Sequence, residues 1–420
     1  MRGTICIVSP GNLASNPRVL KEAAALHGAG YGVTNVVCDY SDELKETDDE
    51  IVARIPWKVV RVPRPRGERA IMKVAGGLAR LVAAAGARLS PGLAALASGG
   101  PVSTLRQAAL AVPADLYIAH YIAGLAATAS VALRRGAMLG FDAEDFHSGE
   151  GTGGADEDFR MKLTETIERA ALPSCAYVTA ASPLIATAYE ATYAISTTPV
   201  LNVFPLDMAP ATPAPAAPAS KPGVKAYWFS QTIGPDRGLQ QFLAAMSHTR
   251  SLVTLDVRGG NQWGGGDQLM ALARELGIGD RVSILPKTSP DEMVRLAAAY
   301  DIGLSLEVES TENRRLCLGN KIFTYLLAGV PVMMTDTPAQ QALGAELGAA
   351  AMVVSLSNPV EIAAALDRLG ESPAALAEAK SAAWRAGRAR YNWDIEKDIL
   401  LNVVEAAFAR RGHNAAQGMR

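Results

Sequence analysis

The sequence predicts an α/β protein built from two parallel-sheet domains that face one another across a cleft, and three observations predict it. At about 150 residues per domain, 420 residues leave room for two substantial cores. Near the middle, APATPAPAAPASKPGV sets five prolines among small residues; it fixes backbone angles and offers little to bury, as a linker does. On either side, short β-rich runs alternate with helical patterns, which implies parallel strands joined by crossover helices and ligands at the carboxyl ends of the strands. Two Rossmann-like domains follow. Residues 1–206 form the first, 207–224 the linker and 225–380 the second, and 381–420 cross back to the first domain as a terminal helix.

In chain order, the first half reads as strands near Thr4 to Val8, Val33 to Cys38, Lys58 to Val62, Leu116 to Ala119, Ala137 to Asp142 and Tyr177 to Ala180. Pro17 to Ala29 and Asp158 to Ala171 read as helices between them. The second half gives strands Ala226 to Ser230, Leu252 to Arg258, Val282 to Leu285, Ile302 to Leu306 and Pro331 to Thr335. Its helices are Gly238 to His248, Asp267 to Leu276, Asp291 to Tyr300 and Lys321 to Leu327. The last segment, Ala382 to Arg411, has a continuous helical pattern.

Composition narrows the functional classes. Hydrophobic residues at 49% and charged ones at 20% describe a globular chain, not a disordered or fibrous one. A net charge of -2 argues against a whole-molecule polyanion binder, and no nucleic-acid partner is expected. Cys6, Cys38, Cys175 and Cys317 are scattered without C-x-x-C spacing, as expected of reduced thiols in the cytoplasm. The start passes directly into a strand pattern, and the Ala-rich stretch Ile71 to Leu96 is broken by Lys73, Arg80, Arg88 and Pro91, so no signal peptide or membrane span is expected.

The motifs point to anions. No G-x-G-x-x-G follows the first strand, which counts against a dinucleotide enzyme. Instead Asn16-Pro17-Arg18 opens a helix, either as an ordinary cap or as an anion contact through Arg18. Asp156-Glu157-Asp158 has metal-ligand spacing but opens a helix, where acids complement the dipole; no metal is expected. Ser230-Gln231-Thr232 leads through a Gly-containing turn to Arg237 at a helix start, and Lys321 opens the helix of Gly319-Asn320-Lys321-Ile322-Phe323-Thr324-Tyr325. Two cations beside helix amides suit a diphosphate leaving group. At the carboxyl end of the predicted strand Ala137 to Asp142 stands the cluster Phe141-Asp142-Ala143-Glu144-Asp145-Phe146-His147-Ser148-Gly149-Glu150, and His120 follows another strand. Such carboxylates and imidazoles can orient or deprotonate a hydroxyl, or serve only as hydrogen-bonded structural groups.

These segments together resemble the glycogen-synthase-like retaining glycosyltransferases of the GT-B fold, specifically the branch with an N-K-x-F-x-Y-x-x-A-G-x-P signature. The resemblance covers nearly the whole chain, including Asn202-Val203-Phe204-Pro205 and the Trp393 segment. It implies a nucleotide diphosphate sugar in the C-terminal domain and an acceptor in the N-terminal domain, without metal. It places Arg237 and Lys321 on the diphosphate as the catalytic cations, and Ser230, Gln231, Thr232 and Thr324 around the donor. Asp145 and His147 would attend the attacking hydroxyl, with Arg18, His120, Asp142 and Glu144 on the acceptor. The sequence departs from the pattern where Ser230-Gln231 replaces Gly-Arg and where Leu316 and Thr324 replace two glutamates; Glu307, Glu309 and Glu312 lie just upstream.

From Lys58 to Arg88, eight cations, Arg66 among them, face a single acid, Glu68, in a segment rich in Ala, Leu, Ile and Met. A basic amphipathic segment of this kind lies on an anionic leaflet or forms the solvated face of a helix pair. The expectation is therefore a cytoplasmic glycosyltransferase, peripheral at the inner membrane face, acting on a glycan or lipid-linked acceptor. A nucleotide-sugar epimerase of the same fold and a non-catalytic glycosyltransferase-like binding subunit are the alternatives.

Overall fold

The computed structural model describes residues 2–64, 67–212, 223–235 and 237–417. Residues 213–222 of the predicted linker, and Arg66 of the basic run, lie outside the described residues. The chain divides into two compact units. Unit 1 comprises Met1–Val200, Thr311–Asn313 and Lys397–Arg420, and unit 2 comprises Leu201–Ser310 and Arg314–Glu396.

Among the described residues, unit 1 holds strands β1 (Thr4–Ser9), β2 (Gly32–Asp39), β3 (Lys58–Pro63), β4 (Leu116–His120), β5 (Met138–Ala143), β6 (Tyr177–Ala180) and β7 (Thr198–Pro199). They pair in parallel in the order β3-β2-β1-β4-β5-β6-β7. Ile5, Cys6, Ile7 and Val8 are all buried, so β1 reads as a continuous apolar run, as a central parallel strand covered on both faces must. The helix Pro17–Gly28 starts where Asn16 Oδ1 accepts from Val19 N at 3.2 Å and Pro17 fills the first position. The helix Tyr121–Arg135 crosses so close to the end of β1 that a Cβ on Gly124 would lie 2.8 Å from the Val8 carbonyl.

Unit 2 holds β8 (Gly223–Thr232), β9 (Leu252–Gly260), β10 (Val282–Leu285), β11 (Ile302–Ser305), β12 (Val332–Thr335) and β13 (Ala351–Val354), parallel in the order β10-β9-β8-β11-β12-β13. Trp228, Phe242, Leu255, Ile302 and Met333 pack in its core. Tyr325, inside the helix Asn320–Ala328, donates to the Tyr227 carbonyl at 3.0 Å and ties that helix to the sheet. Both sheets are thus parallel, with the α/β layout expected.

Three local expectations change. The region 68–111 forms three helices, Glu68–Ala84, Pro91–Ser98 and Val102–Ala111, and β13 adds an unanticipated edge strand. The terminal segment is not one helix from Ala382 to Arg411 but two, Pro373–Ala389 and Trp393–Gln417. Asn392 makes the break: its Nδ2 donates to the Gly387 and Arg388 carbonyls, and its Oδ1 accepts from Asp394 N and Ile395 N. One side chain therefore satisfies orphan groups of both helix ends.

Candidate functional site

In unit 1 the carboxyl ends of β4 and β5 bring together Arg18, Glu22, His120, Asp142 and Glu144. Arg18 Nε and Nη2 donate to the two Asp142 oxygens at 2.5 and 2.7 Å, and Nη1 donates to the Val200 carbonyl at 2.8 Å. Asp142 also accepts from Thr179 at 2.7 Å. His120 places Nε2 2.7 Å from Glu22 and Nδ1 3.0 Å from Glu144. Burial alone would neutralise this imidazole, but the charge of Glu22 and the bonds to Glu144 and Glu22 raise its pKa to about 10. Burial in turn raises Glu22, whereas Arg18 and His120 hold Asp142 and Glu144 below the usual range despite burial. His120, Asp142 and Glu144 have metal-ligand proximity, yet Arg18 and His120 already neutralise the carboxylates. As placed, Arg18, His120, Asp142 and Glu144 form a closed network.

That network sits one layer behind a cavity of about 540 Å³ walled by Ser9, Asn16, Tyr121, His147, Glu150 and Arg160, among others. Asn16 and Tyr121 connect the two, through hydrogen bonds of 3.0 and 3.5 Å to Glu144. Tyr121 has φ 58°, a left-handed conformation costly for a non-glycine residue, so the wall holds strain where β4 turns into its helix. His147 Nδ1 lies 2.9 Å from Glu150, and among the described residues its Nε2 has no partner. Ser9 Oγ has none either. Burial opposes the charge on His147, but the hydrogen bond and charge of Glu150 prevail and lift its pKa to about 9. Protonated at neutral pH, it is a donor. Asp145, raised by burial, accepts from Asn313 at 2.8 Å and lies outside the cavity lining.

The corresponding edge of unit 2 is built differently. Lys321 is the second residue of the helix Asn320–Ala328, whose N-cap Gly319 supplies no side-chain cap, while Ile322 N donates to the Gly319 carbonyl at 3.1 Å; such a helix start favours an anion. Its ammonium is buried 3.9 Å from Glu307 and 5.8 Å from the Trp228 ring centre. Burial, with the nearby charge of Arg237, holds it below the ordinary lysine range against the pull of Glu307. Arg314 takes the other Glu307 oxygen at 2.7 Å. Arg237, half-buried, occupies the turn after β8; the next residue, Gly238, has φ 68° and room for no Cβ, which would lie 2.6 Å from that of Leu306.

The other donor candidates differ. Ser230 and Thr232 are half-buried and Gln231 exposed on the end of β8, with Thr232 Oγ1 accepting from Gln262 at 3.4 Å. Thr324 is fully buried and its hydroxyl donates to the Asn320 carbonyl at 2.9 Å, so it is engaged inside its own helix. Sequence reasoning set Glu150 in the polar cluster without assigning it a role, and missed Glu22, Tyr121, Asn313 and Arg314. Glu22 was visible only as the residue four places after Arg18 on one helix face; nothing local marks the others.

No family model matches the sequence, and no curated protein matches it. Solved structures do resemble its fold. HepE of Anabaena, in complex with UDP-glucose, superposes with a TM-score of 0.68 at 15% identity, covering 96% of this chain and 100% of that one. Sucrose-phosphate synthase from Thermosynechococcus elongatus gives 0.68 at 15% over 97% and 99%. The lipopolysaccharide outer core galactosyltransferase WaaB gives 0.61 at 13% over 96% and 99%. The fold is GT-B, with two Rossmann-like domains.

Proposed function

We propose that the chain is a glycosyltransferase that moves a sugar from a nucleotide diphosphate sugar held by unit 2 to an acceptor hydroxyl held by unit 1. One observation carries the reading: at the carboxyl edge of a Rossmann-like sheet, a buried Lys321 with a depressed pKa lies within electrostatic reach of Arg237 at an uncapped helix start. Two cations that repel one another in the free protein gain from a bound diphosphate. Neighbours of the same fold, solved with UDP and with UDP-glucose, support this class of donor.

In this reading the bond between the anomeric carbon and the phosphate oxygen breaks. Lys321 and Arg237 meet the charge that develops on the diphosphate, without a metal, and Ser230, Gln231 and Thr232 flank it. The acceptor oxygen bonds the anomeric carbon and its proton leaves with the diphosphate. His147, already protonated, orients the hydroxyl and does not deprotonate it, with Asp145 bracing the turn behind. Arg18, His120, Asp142 and Glu144 hold the acceptor cavity in shape. Retention of configuration and a role in surface polysaccharide or glycoconjugate synthesis, at the inner face of a membrane, follow the resemblance noted above.

A panel of UDP-, GDP- and ADP-sugars, scored by calorimetric binding and slow hydrolysis, tests the proposal. One donor should bind and hydrolyse with the wild type and not with Lys321→Ala. Failure of every donor to bind favours the non-catalytic subunit, and conversion of a donor sugar without acceptor favours an epimerase.

A further inference from the structure

The helix Glu68–Ala84 has three sides. Ala75 and Ala79 are buried against the rest of unit 1. About 120° around the axis, at 3.6 residues per turn, Ile71, Val74, Leu78 and Leu81 stand 56, 75, 52 and 70% exposed. Around the remaining side lie Arg69, Lys73 and Arg80, all exposed. Globular helices put aliphatic stripes toward the core; this one carries a second stripe toward solvent. With Leu96 on the next helix, it holds five of the ten exposed large apolar side chains among the described residues, so the stripe is a patch and not scatter.

Charge and area say what covers it. Of the flanking cations, Arg80 is engaged by Asp156 at 2.7 Å, while Arg69, Lys73 and Arg88 are exposed along one segment whose single acid is Glu68. The patch exposes on the order of 400 Å², the size of a functional surface, and about half of the ~800 Å² per partner that a stable protein interface buries. An apolar stripe bordered by cations suits an anionic bilayer.

The patch also reaches the cavity. A small groove lined by Ile71, Leu96, Gly99, Gly100 and Pro101 runs beneath it, and the last three residues also wall the 540 Å³ cavity that holds His147. Met72 lies across this passage, where a Cβ on Gly99 would meet its sulfur at 2.8 Å.

We propose that the helix Glu68–Ala84 seats unit 1 on an anionic bilayer, stripe in the acyl boundary and cations at the headgroups, and that the cavity takes an amphiphilic acceptor. Its apolar tail lies along the Ile71–Leu96 groove and its sugar or phosphate head reaches His147. The choice of acceptor rests on the acceptor role given to the cavity above; the bilayer contact does not.

Flotation of the full chain with phosphatidylglycerol/phosphatidylcholine vesicles, and with phosphatidylcholine alone, tests the contact. The wild type should float with the anionic vesicles only. Leu78→Glu with Leu81→Glu should weaken binding at least tenfold, and neutralising Arg69 and Lys73 should weaken it about fivefold each. The altered side chains are exposed, so circular dichroism should be unchanged. Absence of wild-type flotation, indifference to both pairs of substitutions, or a dimer in sedimentation that Leu78→Glu with Leu81→Glu dissociates, each overturns the bilayer contact. UDP titration of the same samples reports on unit 2 independently, so loss of one reading is not loss of the other. For the acceptor, octyl glucoside below its micellar concentration should bind at least tenfold tighter than glucose, and Leu96→Glu should remove the difference. Equal binding of the two by the wild type overturns the amphiphile.

Discussion

The carboxyl edges of the two sheets gather charge in opposite ways. In unit 1 each buried charge has a partner: Arg18 with Asp142, and His120 with Glu22 and Glu144. In unit 2 two cations, Lys321 and Arg237, are near one another, and Glu307 is divided between Lys321 and Arg314. A network that satisfies itself fixes a shape; a cationic excess at a helix start is a place for an anion. Removing a charge from the first should therefore cost stability, and from the second, affinity.

The largest effect is expected from Arg18→Ala, which takes the two-pronged partner from buried Asp142 and leaves it His120 at 3.5 Å and the Thr179 hydroxyl. Denaturant unfolding should show a loss of about 3–5 kcal/mol, with UDP affinity in unit 2 unchanged. Lys321→Ala should do the reverse. Its unfolding free energy should hold, while UDP binding by calorimetry weakens about 100-fold, the ~3 kcal/mol upper range for a hydrogen bond to a charged group. If both variants lose stability alike, the contrast between the edges is wrong.

A smaller effect concerns pH. His147 has a folded pKa of about 9, above the unfolded-chain value of 6.5. Its contribution is fully present below pH 6.5 and is lost as pH rises through about 9, an effect of about 3 kcal/mol at most. In His147→Gln the fall in stability between those pH values should flatten. The steepest part of the decline that persists belongs to His120, whose folded pKa is about 10. The smallest effect is expected at Thr324, whose hydroxyl is spent within its helix. Thr324→Val should change UDP affinity less than about threefold, under 1 kcal/mol; a tenfold loss would return this residue to the ribose.

Much of the fold was legible because the central strands are buried on both faces and announce themselves as apolar runs such as Ile5-Cys6-Ile7-Val8. The helix from Glu68 was harder to place, since apolar residues on both its core and solvent sides blur a single amphipathic period. β13, Ala351–Val354, is an edge strand with three half-buried residues and continues the Ala-rich run from Gly348, so no bounded apolar run sets it apart. For the candidate site, motif order marked Lys321 and Arg237, which stand at helix starts reached by short local turns. Pairing was not legible: Arg18 meets Asp142 across 124 positions, and no local pattern says that the guanidinium is spent there. Spacing likewise reached Thr324 but not the inward turn of its side chain, which depends on how the helix packs over Gly303 and β11.

The central claim, that the edge of unit 2 is a diphosphate site and that of unit 1 a scaffold, is tested most directly by calorimetric titration of UDP into the wild type, Lys321→Ala and Arg237→Ala. The account predicts saturable one-to-one binding by the wild type, weakened about 100-fold in Lys321→Ala and at least tenfold in Arg237→Ala. Wild-type binding that neither substitution weakens would contradict it.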